Sequence, residues 1–274
     1  MRRIAQPGPA PAARAIALPC AARRIAVELP AGARLLDALA ALLEGAESGS
    51  FTLRGGALHP FGYVMPAASP DAAHAAFYSA PQRPPGGAAW ERGAVTLGWR
   101  DGAPFFHCHG LWREAGGARR GGHVLPEESV IAAPIRAEGV LIGGARFEAV
   151  QDAETGFRLF EPRPGNLAPG AANALALRLR PNQDATEALI GLARAAGFAR
   201  AALPGAVGSL IGARFADGRI TEPFATEVFL EPGEIGGAPL RAGLVDMEGG
   251  LAEGALTPGE NPVLMTLEAV LLAG

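Results

Sequence analysis

Apolar and polar residues alternate in short runs along most of this chain, which predicts strands. In two places the apolar spacing lengthens to that of a helix. Over 23–46, "RRIAVELPAGARLLDALAALLEGA", a short strand passes through Pro30 into a segment with Leu35, Leu36, Leu39, Leu42 and Leu43 on one face. Over 174–198, "ALALRLRPNQDATEALIGLARAAGF", the same order recurs. Pro181 follows the strand, Asn182 or Asp184 can cap, Glu187 lies three residues beyond Asp184, and Leu189, Leu192 and Ala196 share a face before Gly197 ends the helix. Each helix is followed by a glycine step, "RGGALHPFGYV" at 54–64 and "PGAVGSLIGARF" at 204–215.

The offset between the two patterns is about 150 residues, the mark of a tandem duplication. The closing strands correspond as well, residues 104–141 against 239–271, and aligning Gly116-Gly117 with Gly249-Gly250 sets His107 against Leu240 and His109 against Ala242. The second copy keeps the fold signals and lacks every histidine. Between the copies "FEPRPGNLAPGAAN" reads as a linker. The expected fold is therefore α+β, two tandem units, each a mainly antiparallel sheet with one substantial helix. The expected divisions are an N-terminal arm at 1–22, a histidine-bearing domain at 23–164 and a degenerate copy at 165–274.

With 274 residues, 49% of them hydrophobic, the chain can bury a real core. All 24 basic residues are arginine, which reads as coding bias more than as guanidinium chemistry. A net charge of −3 supplies no general field for a polyanion and argues against a DNA partner. Two cysteines, Cys20 and Cys108, build no disulfide framework. No secretory signal or membrane span is legible, so a cytoplasmic protein is expected.

Three of the five histidines fall within residues 107–123, "HCHGLWREAGGARRGGH". On a strand His107 and His109 project to one face and Cys108 to the other. A hairpin turning at Gly116-Gly117 brings His123 beside them on the neighbouring strand. Three imidazoles with a fourth position open suit a catalytic zinc ion. The same residues also read as a solvated polar face, or as one core histidine with two unrelated ones; the hairpin-compatible spacing and the joint loss of all three in the second copy favour the metal.

The pattern "HCHG…GGHVL", the glycine step and the strand–helix–strand opening resemble the plant-and-prokaryote-conserved (PPC) domain family. The resemblance covers 24–162 and 172–273, and "DAETGFRLFEP" at 152–162 resembles the tail of some bacterial members. It implies a small sheet-and-helix fold, usually trimeric, with a metal on three histidines matching His107, His109 and His123. The fold it implies is also similar to that of acetolactate decarboxylase, a two-unit zinc enzyme with an HxH and a later histidine. The family has been described as DNA-binding, but the "RGRP" hook of plant members is absent here.

Several further residues are candidates for the site. His59, after the glycine step, could serve as a general base, or be structural. Glu128, or its neighbour Glu127, could accept from an imidazole N–H or carry protons. Arg54 and Arg113 could anchor a substrate carboxylate, although solvated arginine is the commoner fate. Glu91 and Glu227 occupy an acidic strand position or are ordinary exposed residues. Cys108 is expected in the core, and His74 in a solvated insertion. Two functions follow: a zinc-dependent, non-redox lyase or hydrolase acting on a small oxo- or hydroxy-acid, working as a homo-oligomer, or a regulatory module whose histidines are structural or ligand-sensing.

Overall fold

A computed structural model describes residues 2–166, 168 and 170–274. Its long strands, in chain order, are β1 (Ala15–Leu29), β2 (Ser48–Arg54), β3 (Ala88–Arg100), β4 (Ala103–Glu114), β5 (Arg119–Val124), β6 (Ile135–Gly143), β7 (Ala145–Gln151), β8 (Arg158–Pro164), β9 (Ala174–Leu179), β10 (Ala206–Arg214), β11 (Ile220–Leu230), β12 (Arg241–Asp246), β13 (Leu251–Ala255) and β14 (Val263–Ala273). The helices are α1 (Leu35–Ala40) and α2 (Ala185–Ala195). With 55% of the chain in strands and two short helices, the fold is mainly β, which corrects the expected balance of α and β.

The reason lies in the first helix. Arg34 stands at its N-cap and offers no side-chain acceptor to the free amides, so α1 runs six residues and tightens into a 3-10 turn over Ala41–Leu43. Leu35, Leu39 and Leu43 still fill the core beneath it. In α2, by contrast, Asp184 accepts from Glu187 N at 2.9 Å and the helix extends eleven residues. Asn182 does not cap; it holds a left-handed φ of 65° and bonds both backbone groups of Ile4. Ala193 is buried where Ala196 was expected.

Antiparallel pairing gives two strand orders. One runs β1(21–29)–β6–β2–β3–β4–β5, and the other β1(15–20)–β9–β14–β10–β11–β12–β13. β1 therefore contributes an edge to both, and residues read as a free N-terminal arm are paired to β9. The β7–β8 hairpin follows β6. The linker at 160–173 begins within β8, and its residues 167 and 169 lie outside the described residues.

The two sheets face each other, with a helix on each outer side. Strand alternation sorts the side chains. In β4, Phe106 and Cys108 join the core under α1, while Leu111 meets Val207 and Phe229 of the opposing sheet. In β14, Leu267, Ala269 and Leu271 join the core under α2, while Val270 and Leu272 face the first sheet. The functional residues sit in this middle layer.

Candidate metal centre

The β4–β5 turn makes the site. Gly117 takes φ +87°, a left-handed conformation glycine adopts without strain, and its N–H donates to Glu114 O at 2.8 Å. The strands then return in register with His109 directly opposite His123. His107 and His109 point together into the middle layer, and Cys108 lies in the α1 core, where burial pushes its thiol well up.

Three imidazoles and one carboxylate meet there: nitrogen atoms of His107, His109 and His123 and an oxygen of Glu227, from β11 of the other sheet, all lie within 4.8 Å of one another. His107 Nε2 is 3.0 Å from His109 Nε2, which is 3.1 Å from His123 Nδ1 and 2.7 Å from Glu227 Oε2. The outward nitrogens are also engaged. His109 Nδ1 lies 3.0 Å from the Val228 carbonyl, which can only accept, so Nδ1 carries the proton. His107 Nδ1 lies 2.7 Å from Glu268 Oε2, on β14. Both contacts leave an Nε2 facing inward, and where the outer oxygen accepts, this is the arrangement by which outer acceptors orient metal-binding imidazoles.

Burial, and then the neighbouring His109, hold His107 well below its ordinary value against the pull of Glu227. Burial, His107 and His109 do the same to His123. For His109 burial also opposes the charged form, but Glu227, the Val228 carbonyl and Glu268 outweigh it and raise the group on balance. Glu268 is fully buried, and burial pushes its carboxyl up to about 8 against the pull of Arg178 and His109 and hydrogen bonds from Thr266 and Thr96. Arg178, equally buried, is neutralised by Asp152 at 2.8 Å and Glu161 at 3.3 Å.

The donor set fits a divalent transition metal. Two inward Nε2 atoms, a third imidazole nitrogen and a carboxylate converge within 4.8 Å of one another, the nitrogen and oxygen donors that such an ion takes. A proton on His109 answers only the contacts of that one nitrogen; a metal ion answers all four.

A cavity of about 80 Å³ opens beside the cluster, lined by His107, His123 and Glu227 at one end and by Phe105, Phe157, Leu264 and Met265 along its walls. The insertion at 66–78, whose ends pair with each other, lines it with Pro66, Ala76, Phe77 and Tyr78. The Tyr78 ring lies tilted, 5.3 Å from that of His123, and its phenol is pushed up by burial and by the charges of Glu227 and Glu268. His74, expected in solvent, packs instead against Phe157 at 4.6 Å and Phe77 at 5.1 Å.

The other candidates are not brought to the cluster. His59 is exposed, its N–H donating to Val130 O. Glu128 is held bidentately by Arg83 at 2.6 and 2.7 Å, and Glu127 is exposed. Arg54 is exposed at the end of β2, and Arg113 donates to Gly117 O across its own turn. Glu91 pairs with Arg119 at 2.7 Å. Glu268 was missed, although the sequence carries its signal: in "VLMTLEAVLL" it is the sole charge in an apolar strand, and such a charge is retained only where something pairs it.

The fold and site together define a mainly-β protein of two facing sheets with a buried His/Glu cluster between them. No known family model matches the chain, and no curated protein matches it. Among solved structures, 53% of this chain is similar to 93% of a PPC protein from Pyrococcus horikoshii, at 19% identity and a TM-score of 0.40. The same share is similar to 98% of a metal-containing protein from Archaeoglobus fulgidus, at 18% identity and a TM-score of 0.42. A Ralstonia eutropha protein described as a candidate DNA-binding protein is similar over 50% of this chain and 89% of its own, at 19% identity and a TM-score of 0.36. No helix is long and apolar enough to cross a membrane among the described residues.

Proposed function

We propose that this chain binds a divalent transition metal, zinc by the chemistry of its donors, on His107, His109, His123 and Glu227, and uses it in non-redox lyase or hydrolase chemistry on a small molecule. The observation that carries this reading is the outward bonding of His107 and His109, which leaves both Nε2 atoms facing His123 and a carboxylate. When bound, the ion supplies a Lewis acid. The chain's own residues do the rest. Glu268 and the Val228 carbonyl hold the two imidazoles in one tautomer, Glu227 neutralises charge, and the apolar walls exclude water. Arg54, Arg113, His59 and Glu128 have no part in it.

The matching strand orders support two copies descended from one unit, the second now supplying Glu227 and Glu268 to the histidines of the first. Buried, unpaired Cys20 and Cys108 are consistent with a reducing, cytoplasmic setting. The homo-oligomer remains part of the proposal, and light scattering that finds only single chains refutes it.

The metal reading is tested by His107→Ala and His123→Ala, measured by elemental analysis and circular dichroism. Each variant is expected to lose stoichiometric metal and keep its strand signal; full metal in either refutes the site. DNA is disfavoured by the net charge and by exposed arginines already paired, Arg34 with Asp37 and Arg219 with Asp217 among them. A salt-sensitive mobility shift on duplex DNA would reverse that judgement.

A further inference from the structure

The walls of the cavity restrict what the metal centre can take. Its polar lining is already committed: Ser209 Oγ accepts from Met265 N at 3.0 Å, Thr226 Oγ1 donates to Leu210 O at 3.0 Å, and Thr266 Oγ1 is turned to Glu268. The lone guanidinium at its edge, Arg158, is clamped bidentately on Asp101 at 3.0 and 2.7 Å. No lining cation remains to receive a second anionic group. The rest of the wall is aromatic and aliphatic.

Charge sets the other condition. Three neutral imidazoles and the Glu227 carboxylate around a divalent ion leave at most one net positive charge, and the Glu268 carboxyl behind His107 can only reduce it, so no more than a single anionic head is neutralised. A dianion would leave an excess negative charge facing apolar walls, and an unpaired buried charge is costly. The volume sets the length. At roughly 10–15 Å³ for each water-sized group, about 80 Å³ holds about five to eight non-hydrogen atoms.

We infer that the ligand is a short aliphatic monocarboxylic acid, its carboxylate held at the metal and its hydrocarbon tail against Phe157, Leu264 and Met265. This rests on the metal reading above. It also replaces the arginine-anchored acid expected from the sequence, because neither Arg54 nor Arg113 lines the cavity.

The test uses the full chain loaded with Co(II), whose visible absorption reports a change of ligand. Acetate, butyrate, hexanoate and succinate are titrated in turn, hexanoate and succinate being matched in size. A buried methylene strengthens binding about fourfold, so hexanoate, with two more methylenes, is expected to bind roughly fifteenfold tighter than butyrate and at least tenfold tighter than succinate. Phe77→Arg, a change at a 37% exposed residue of the mouth, is expected to narrow the preference for hexanoate over succinate. Succinate binding as tightly as hexanoate, or hexanoate no tighter than acetate, overturns the inference while leaving the metal centre standing. Failure to take up Co(II) at all overturns the metal reading and this inference with it.

Discussion

Glu268 makes opposite demands on the protein with and without metal, and Glu268→Gln separates them. The carboxyl is fully buried and raised from 4.5 to about 8. Between those values the folded, metal-free protein holds a proton that the unfolded chain has released, so stability falls as pH rises through that window and the loss is complete above about 8. At 1.36 kcal/mol per unit, keeping this proton costs the metal-free fold on the order of 3 kcal/mol at pH 7 relative to pH 4.5. Glutamine has the same shape, carries no charge, and keeps an oxygen to accept from His107 Nδ1. The metal-free variant should therefore unfold several degrees higher than the parent at pH 8 and show little difference at pH 4.5, with a flatter stability profile between. Metal affinity should move the other way, falling tenfold to a hundredfold with loss of the outer carboxylate. Thermal melts of chelator-treated protein, together with competition against a chromophoric chelator, measure both. A variant that melts lower at pH 8 and binds metal as tightly as the parent would refute the assignment of Glu268 to the imidazole.

Other expectations follow from the same geometry. Asp184→Ala removes a cap that serves two amides, Glu187 N at 2.9 Å and Asn261 N at 2.7 Å, and should cost about 2 kcal/mol in urea unfolding; a change below a few tenths would show the cap to be dispensable. Burial pushes the Cys20 thiol up to about 12, against a backbone hydrogen bond from Ala176, and lifts that of Cys108 further. Neither should react with a thiol-specific disulfide reagent at pH 8 until denaturant is added, when both should. Saturating zinc should raise the midpoint of thermal unfolding, because the ligands come from both sheets and are brought together only in the folded chain.

Much of the centre was legible because it is local. His107 and His109 share a face by strand alternation, and Gly116-Gly117 lies midway between His109 and His123, so one turn fixes the register. Glu227 and Glu268 were not legible in the same way. Their approach to the histidines depends on how two sheets stack, and no spacing within either strand encodes that. Glu128 and Arg113 misled because carboxylates and guanidiniums near a motif in sequence find closer partners, Arg83 for one and a turn carbonyl for the other. The first helix was over-read because its leucines repeat correctly while Arg34 leaves its amides uncapped.

The long first strand imposes an order on synthesis. Its leading residues, Ala15–Cys20, complete a ladder only with Ala174–Leu179, so once made they wait for about 150 further residues. At about 5–20 residues per second that interval lasts on the order of ten seconds or more, during which the segment Ala15–Cys20 lies open to other chains. The proline at position 19 lies in that segment, and such a residue discourages mispairing of a waiting strand.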